Sequence, residues 1–163
     1  MQVLEKKVWW SYIEEDLREL LLESRSIIAS VETWKEKFHD YSFVVFPAAK
    51  AYEGFLKKIF LDMGFIDREQ FYGKRFRVGK ALNPALEQEL RSESVYDKIV
   101  NFCGGDTLAD TLWQTWKEAR NLLFHYFPDE ENAITFDQAK TYVEKVIIAM
   151  DLAFKECKID NRA

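Results

Sequence analysis

Glycine and proline are scarce, 6 and 3 in 163 residues. So few turn residues exclude a fold of many short strands and favour long helices with few connections. Cys103 and Cys157 are the only cysteines, too few for a disulfide framework, and they read as packing thiols. The only histidines, His39 and His125, lie too far apart in sequence to suggest a zinc motif, and neither H-E-x-x-H nor C-x-x-C occurs. No metal is therefore expected. No glycine-rich nucleotide fingerprint follows a strand and no serine sits in a nucleophile elbow, so no cofactor is expected either. No apolar run approaches the roughly 18 residues that span a bilayer. The N-terminal MQVLEKKVWWSYIEEDL carries charges throughout where a signal peptide has an apolar core. A cytoplasmic location with no membrane partner is the expectation. Positive charge is also in deficit: the formal net charge is -5, which argues against a generic nucleic-acid-coating protein. Any polyanion would have to be met at a local basic patch, and the acidic balance suits a protein partner equally.

What the chain has is apolar and aromatic content, 48% and 15%, enough for one domain over 1–163 with a real core. Val8, Tyr12, Leu17, Leu20, Leu21 and Ile28 recur at three- and four-residue steps and predict one long helix over 5–29, with Trp9 and Trp10 as core or interface. Ser30 or Thr33 can cap a short helix through Val31–His39. Asp40 can cap the next, whose stripe runs from Val44 to Phe60 and which stops at Gly64; Pro47 should bend it or delay its start. Lys50 and Glu53, three residues apart, share a face of that helix, as an ordinary surface pair would. Residues 65–83 are the least regular. There Gly73 and Gly79 bracket Lys74, Arg75, Arg77 and Lys80, with Tyr72 and Phe76 interleaved. This is either a surface that holds a phosphate backbone and stacks a base, or a solvated loop or short hairpin. Pro84 opens a helix to about Arg91, and Ser92 or Ser94 caps another that Cys103-Gly104-Gly105 ends. Asp106 or Thr107 caps a central helix over 107–126, and Thr135 opens the last. The sum is an all-α bundle of about five or six helices.

One stretch, WQTWKEARNLLFHYFP (113–128), suggests chemistry. Arg120, Asn121 and His125 are its polar centre. A histidine can move the proton of a ribose 2′-hydroxyl or of a leaving 5′-oxygen, and an arginine can hold the oxygens of a phosphorane. A histidine near a helix C-terminus is favoured as imidazolium, which suits a general acid. Five steps on an ideal helix set Arg120 and His125 roughly 140° apart, so a shared face needs loosened geometry before Pro128. The plainer alternative is a partly buried, hydrogen-bonded histidine beside a solvated arginine, and the spacing alone favours it.

Arg120-Asn121, three residues, then His125 resembles the signature of the HEPN superfamily, helical bundles found in many prokaryotic toxin and defence ribonucleases. The upstream helix FVVFPAAKAYEGFLKKIFLDMGF is similar to that of the RNase LS (RnlA/LsoA) toxin family, in which an acidic residue before glycine belongs to the catalytic cluster. The similarity covers roughly 40–157, and the chain looks like a stand-alone unit of this kind. The resemblance implies a HEPN-like bundle and a metal-independent endoribonuclease leaving 2′,3′-cyclic phosphate ends. Arg120, Asn121, His125 and Glu53 would form its site. Lys50 stands where that family has an arginine, and Asp40 lies at a spacing that also fits. The resemblance further implies a homodimer with paired signature helices and an antitoxin partner. Trp113, Trp116, Phe124 and Tyr126 would then lie partly at the dimer interface. One HEPN branch modifies a tyrosine two residues after the histidine; here that position is Phe127 and the tyrosine is Tyr126. A non-catalytic binding module for RNA, nucleotide or protein, and a plain helical interaction protein, remain the alternatives.

Overall fold

In a computed structural model describing residues 3–130 and 132–157, the chain is an all-α bundle. The helices are α1 (Glu15–Val31), α2 (Ser42–Asp62), α3 (Arg68–Tyr72), α4 (Val78–Ala81), α5 (Val95–Cys103), α6 (Thr107–Trp116) and α7 (Phe136–Glu156). None of the described helices is long and apolar enough to cross a membrane.

α2 is the axis of the molecule. Val44, Val45, Ala48, Ala51, Tyr52, Phe55, Leu56, Ile59 and Phe60 are all fully buried and cover about half of the helix surface. Each large side chain of that set stabilises by roughly 1.5–3 kcal/mol, which no surface pairing on α2 could match. α1 and α7 pack on α2, and α6 packs on α5 and α7. Two buried hydroxyls fix the register between elements. Ser24 Oγ donates to the Val44 carbonyl at 2.7 Å, and Tyr52 OH donates to the Leu112 carbonyl of α6 at 3.2 Å. Burial pushes the Tyr52 phenol well above its ordinary value and keeps it a donor.

The helix ends follow capping chemistry. Ser94 accepts the Asp97 N–H at 3.1 Å, and Thr135 with Gln138 forms a reciprocal capping box. Gly64, at φ +69°, closes α2 in the left-handed conformation, and the Phe65 N–H reaches back to the Phe60 carbonyl at 2.8 Å.

Four expected elements come out differently. The helix expected over 5–29 begins only at Glu15. Before it the chain turns back over α7: Trp9 is fully buried and donates its indole N–H to Asp151 at 2.6 Å, Lys7 binds the same carboxylate, and Val8 is left exposed. No helix forms over Val31–His39; α1 continues through Ser30 to Val31, and 32–41 is a loop whose Trp34, Phe38 and Tyr41 rings pack on Phe43 of α2. α2 runs on through Pro47 without a late start and forgoes the one bond that a nitrogen there would donate to the Phe43 carbonyl. In place of a helix from Pro84 there is a 3-10 segment, Gln88–Glu93, shaped by Arg91. That side chain donates to the Pro84 carbonyl at 2.7 Å and grips Asp97 from two nitrogens, each at 2.9 Å. The irregular 65–83 region holds the short α3 and α4 and no hairpin. Cys157 is buried in the core, whereas Cys103, expected as a packing thiol, is exposed.

Candidate active site

α6 does not reach Tyr126 as an α-helix. At Lys117–Asn121 it widens into a π-turn, with the Leu122 N–H bonded to the Lys117 carbonyl at 2.9 Å, and the chain leaves it in turns through Phe124. A π-turn takes about one more residue per turn, so it shifts the side-chain register between Trp116 and His125. It packs between α2 and α7.

Arg120 points into a cleft of about 390 Å³ whose walls include Glu53, Arg77, Lys80, Trp116 and Asn121. Its Nη2 lies 3.9 Å from Glu53 Oε2, and its guanidinium stands 5.1 Å over the Trp116 ring. Trp116 is buried and forms the floor beneath the guanidinium. Its position depends on Gly79 of α4: a Cβ there would sit 2.4 Å from the indole Nε1. The glycine is needed for this close approach of backbone to ring.

The basic residues are not scattered. Arg77 and Lys80 line the Arg120 cleft and also a neighbouring cleft of about 590 Å³ that includes Lys74, Arg75 and Phe76. Arg77 donates to the Lys74 carbonyl at 2.6 Å, and Lys80 pairs with Glu93 at 3.1 Å. Lys50 is exposed on α2 and lines neither cleft.

His125 is exposed, not partly buried, and opens into a different hollow, of about 380 Å³, shared with His39, Asp40 and Asn132. Its Nε2 is 3.3 Å from Asn121 Oδ1, a hydrogen bond when that nitrogen carries the proton. Asn121 therefore belongs to both sites: it lines the Arg120 cleft and holds His125. The end of the segment is tied down by Asn132, whose amide donates to the carbonyls of Leu122 at 3.0 Å and His125 at 2.6 Å. Asp40 anchors the opposite wall, accepting from the Ser42 N–H, the Ser42 hydroxyl and the Ile134 N–H at 3.0, 2.7 and 3.2 Å.

Of the residues singled out in the sequence, Glu53, Arg77, Lys80, Arg120 and Asn121 come together, with Lys74 and Arg75 alongside; His125 joins them through Asn121. Arg120 and His125 of one chain do not share a hollow. The aromatic residues divide: Trp116 is core, Trp113 is half-buried on the cleft wall, Phe124 packs edge-on against Phe46 at 5.4 Å, and Tyr126 is 85% exposed. Sequence reasoning missed the π-turn, the Gly79–Trp116 contact, and the roles of Asn132 and His39 in the His125 hollow; all four depend on tertiary placement. Among known proteins, the chain matches no family model, no curated sequence and no solved structure.

Proposed function

We propose that the chain is a metal-independent endoribonuclease acting on RNA by 2′-hydroxyl attack, of the toxin or defence type and with a HEPN-like site. The observation that carries this reading is the convergence of three separate segments on one cleft. Glu53 comes from α2, Arg77 and Lys80 from α4 and its N-terminus, and Arg120 and Asn121 from the π-turn. Three cations and two amides, against the one carboxylate of Glu53, face a single cleft and suit a phosphodiester, even on a chain of net charge -5. In this reading the phosphate lies over Asn121, which lines the Arg120 cleft and bonds His125. Arg120 holds the phosphorane oxygens, Glu53 and Trp116 hold Arg120, and His125 transfers the proton. A homodimer and an antitoxin protein are part of the same proposal; Tyr126, the most exposed large ring, suits a covered surface.

The test is cleavage of structured RNA in excess EDTA by wild type, Arg120→Ala and His125→Ala. Cleavage by the wild type alone, with cyclic-phosphate ends and unchanged helicity in the variants, is the expected result. Full activity in both variants sinks the reading. The second reading, a non-catalytic module that binds RNA, nucleotide or a protein, is favoured by one observation: Arg120 and His125 line separate hollows. It predicts saturable binding with no cleaved product.

A further inference from the structure

The two histidines of the sequence, 86 positions apart (125 − 39), meet in the same hollow. We infer that His39 is a second catalytic residue, the general base that partners His125; this rests on the ribonuclease reading above.

Cleavage of RNA by its own 2′-hydroxyl moves two protons, one off the attacking oxygen and one onto the leaving oxygen. A single imidazole does both only in sequence, whereas two facing a common hollow do both in one step. His39 is exposed toward that hollow from the 32–41 loop, and His125 faces it from the segment after the π-turn.

The loop is held on both sides of His39. The Phe38 N–H is bonded to Tyr41 OH at 3.0 Å, and the Phe38 ring packs on Trp34, Tyr41 and Phe43. On the other side Asp40 accepts three donors, one of them the Ile134 N–H from the segment before α7. The opposite wall is held as firmly, since Asn132 binds the His125 carbonyl at 2.6 Å. A solvent-exposed histidine between two anchored neighbours has its reach set in advance, as proton transfer requires.

Asn121 Oδ1 lies 3.3 Å from His125 Nε2 and, when that nitrogen carries the proton, holds the ring in place. Within the pairing, the tethered His125 takes the acid's part and His39 the base's. Neutral His39 removes the 2′-hydroxyl proton as the 2′-oxygen bonds to phosphorus. The bond from phosphorus to the 5′-oxygen breaks, and His125, as imidazolium, gives that oxygen a proton and is left neutral while His39 is left as imidazolium. The products are a 2′,3′-cyclic phosphate and a free 5′-hydroxyl, with both imidazoles reset by exchange with water.

The experiment compares wild type, His39→Ala, His39→Gln and His125→Ala on two RNA oligonucleotides. One has the ordinary 5′-oxygen at the cleaved bond. The other has sulfur there, a leaving group that needs no proton. Binding of a 2′-O-methyl oligonucleotide serves as the structural control. His125→Ala is expected to lose at least about 100-fold on the oxygen substrate and to recover to within about tenfold of wild type on the sulfur one. Both His39 variants are expected to lose about 100-fold on each substrate with binding unchanged. Near-wild-type rates in the His39 variants overturn the pairing, as does rescue of those variants by sulfur, or a rate loss that merely follows lost binding. Wild type that cleaves neither substrate removes the ribonuclease reading, and the pairing with it; active wild type with an indifferent His39 removes the pairing alone.

Discussion

Arg120 Nη2 stands 3.9 Å from Glu53 Oε2, joining the π-turn to α2 across the mouth of the cleft. The two side chains are 39% and 37% exposed, so water screens the pair and its worth to stability is at most a fraction of 1 kcal/mol. Its effect on aim is larger, because Glu53 and the Trp116 ring are what bound the guanidinium. Glu53→Gln should therefore leave the urea midpoint within error of wild type and lower RNA cleavage about tenfold or more. A cleavage rate that tracks only the folded fraction would make the pair decorative.

Gly79 offers a test of the floor. An added methyl would sit 2.4 Å from Trp116 Nε1, and the ring is 4% exposed, with core on its other side. Gly79→Ala should cost about 1–3 kcal/mol as overpacking and weaken cleavage further by displacing the surface under Arg120. Gly105 has open space around its Cβ position and an ordinary φ, so Gly105→Ala is the matched control, expected near neutral. Denaturant unfolding of both variants checks the contrast; equal stability would mean that the indole moves aside freely.

The basic residues predict a salt signature. Binding of a 2′-O-methyl RNA strand, which cannot supply the attacking hydroxyl, should weaken with salt. Each phosphate contact removed should reduce the log–log slope by about 0.7. Arg77→Ala and Lys80→Ala should each do so, since both line the Arg120 cleft as well as its neighbour. Lys50→Ala, on a residue that lines neither cleft, should leave the slope unchanged. Equal effects from all three would reduce the cluster to general surface charge.

How much of this was legible in the sequence depends on how local the cause is. The α2 stripe, the Gly64 stop, the Ser94 and Thr135 caps and the all-α class follow from spacing and capping chemistry within a few residues. The start of α1 does not: the 5–14 stretch has helical spacing, and it is Asp151, far along the chain, that draws Trp9 and Lys7 away. The π-turn likewise has no composition of its own; it is held by packing against α2 and α7. The site divides on the same line. Arg120, Asn121 and His125 stand out as a cluster in sequence and the resemblance adds Glu53 to them, whereas the approach of Arg77 and Lys80 to Arg120, and the hollow that His39 shares with His125, are products of the fold.

Asn132 closes the segment that carries His125. Its amide donates to the Leu122 and His125 carbonyls at 3.0 and 2.6 Å, and neither carbonyl lies within an α-helix. Asn132→Ala removes both donors but lets water replace them, so a loss of about 1 kcal/mol is expected. Asn132→Asp is the sharper variant. A carboxylate cannot donate, and it places negative charge against two carbonyl oxygens at the negative end of a helical segment. The order of stability should be wild type, then Ala, then Asp, by thermal unfolding. Cleavage should fall in the same order and further than stability does, since an untethered His125 spends less time where the leaving oxygen needs its proton. Aspartate as active as asparagine would show that the tether does not position His125 for the reaction.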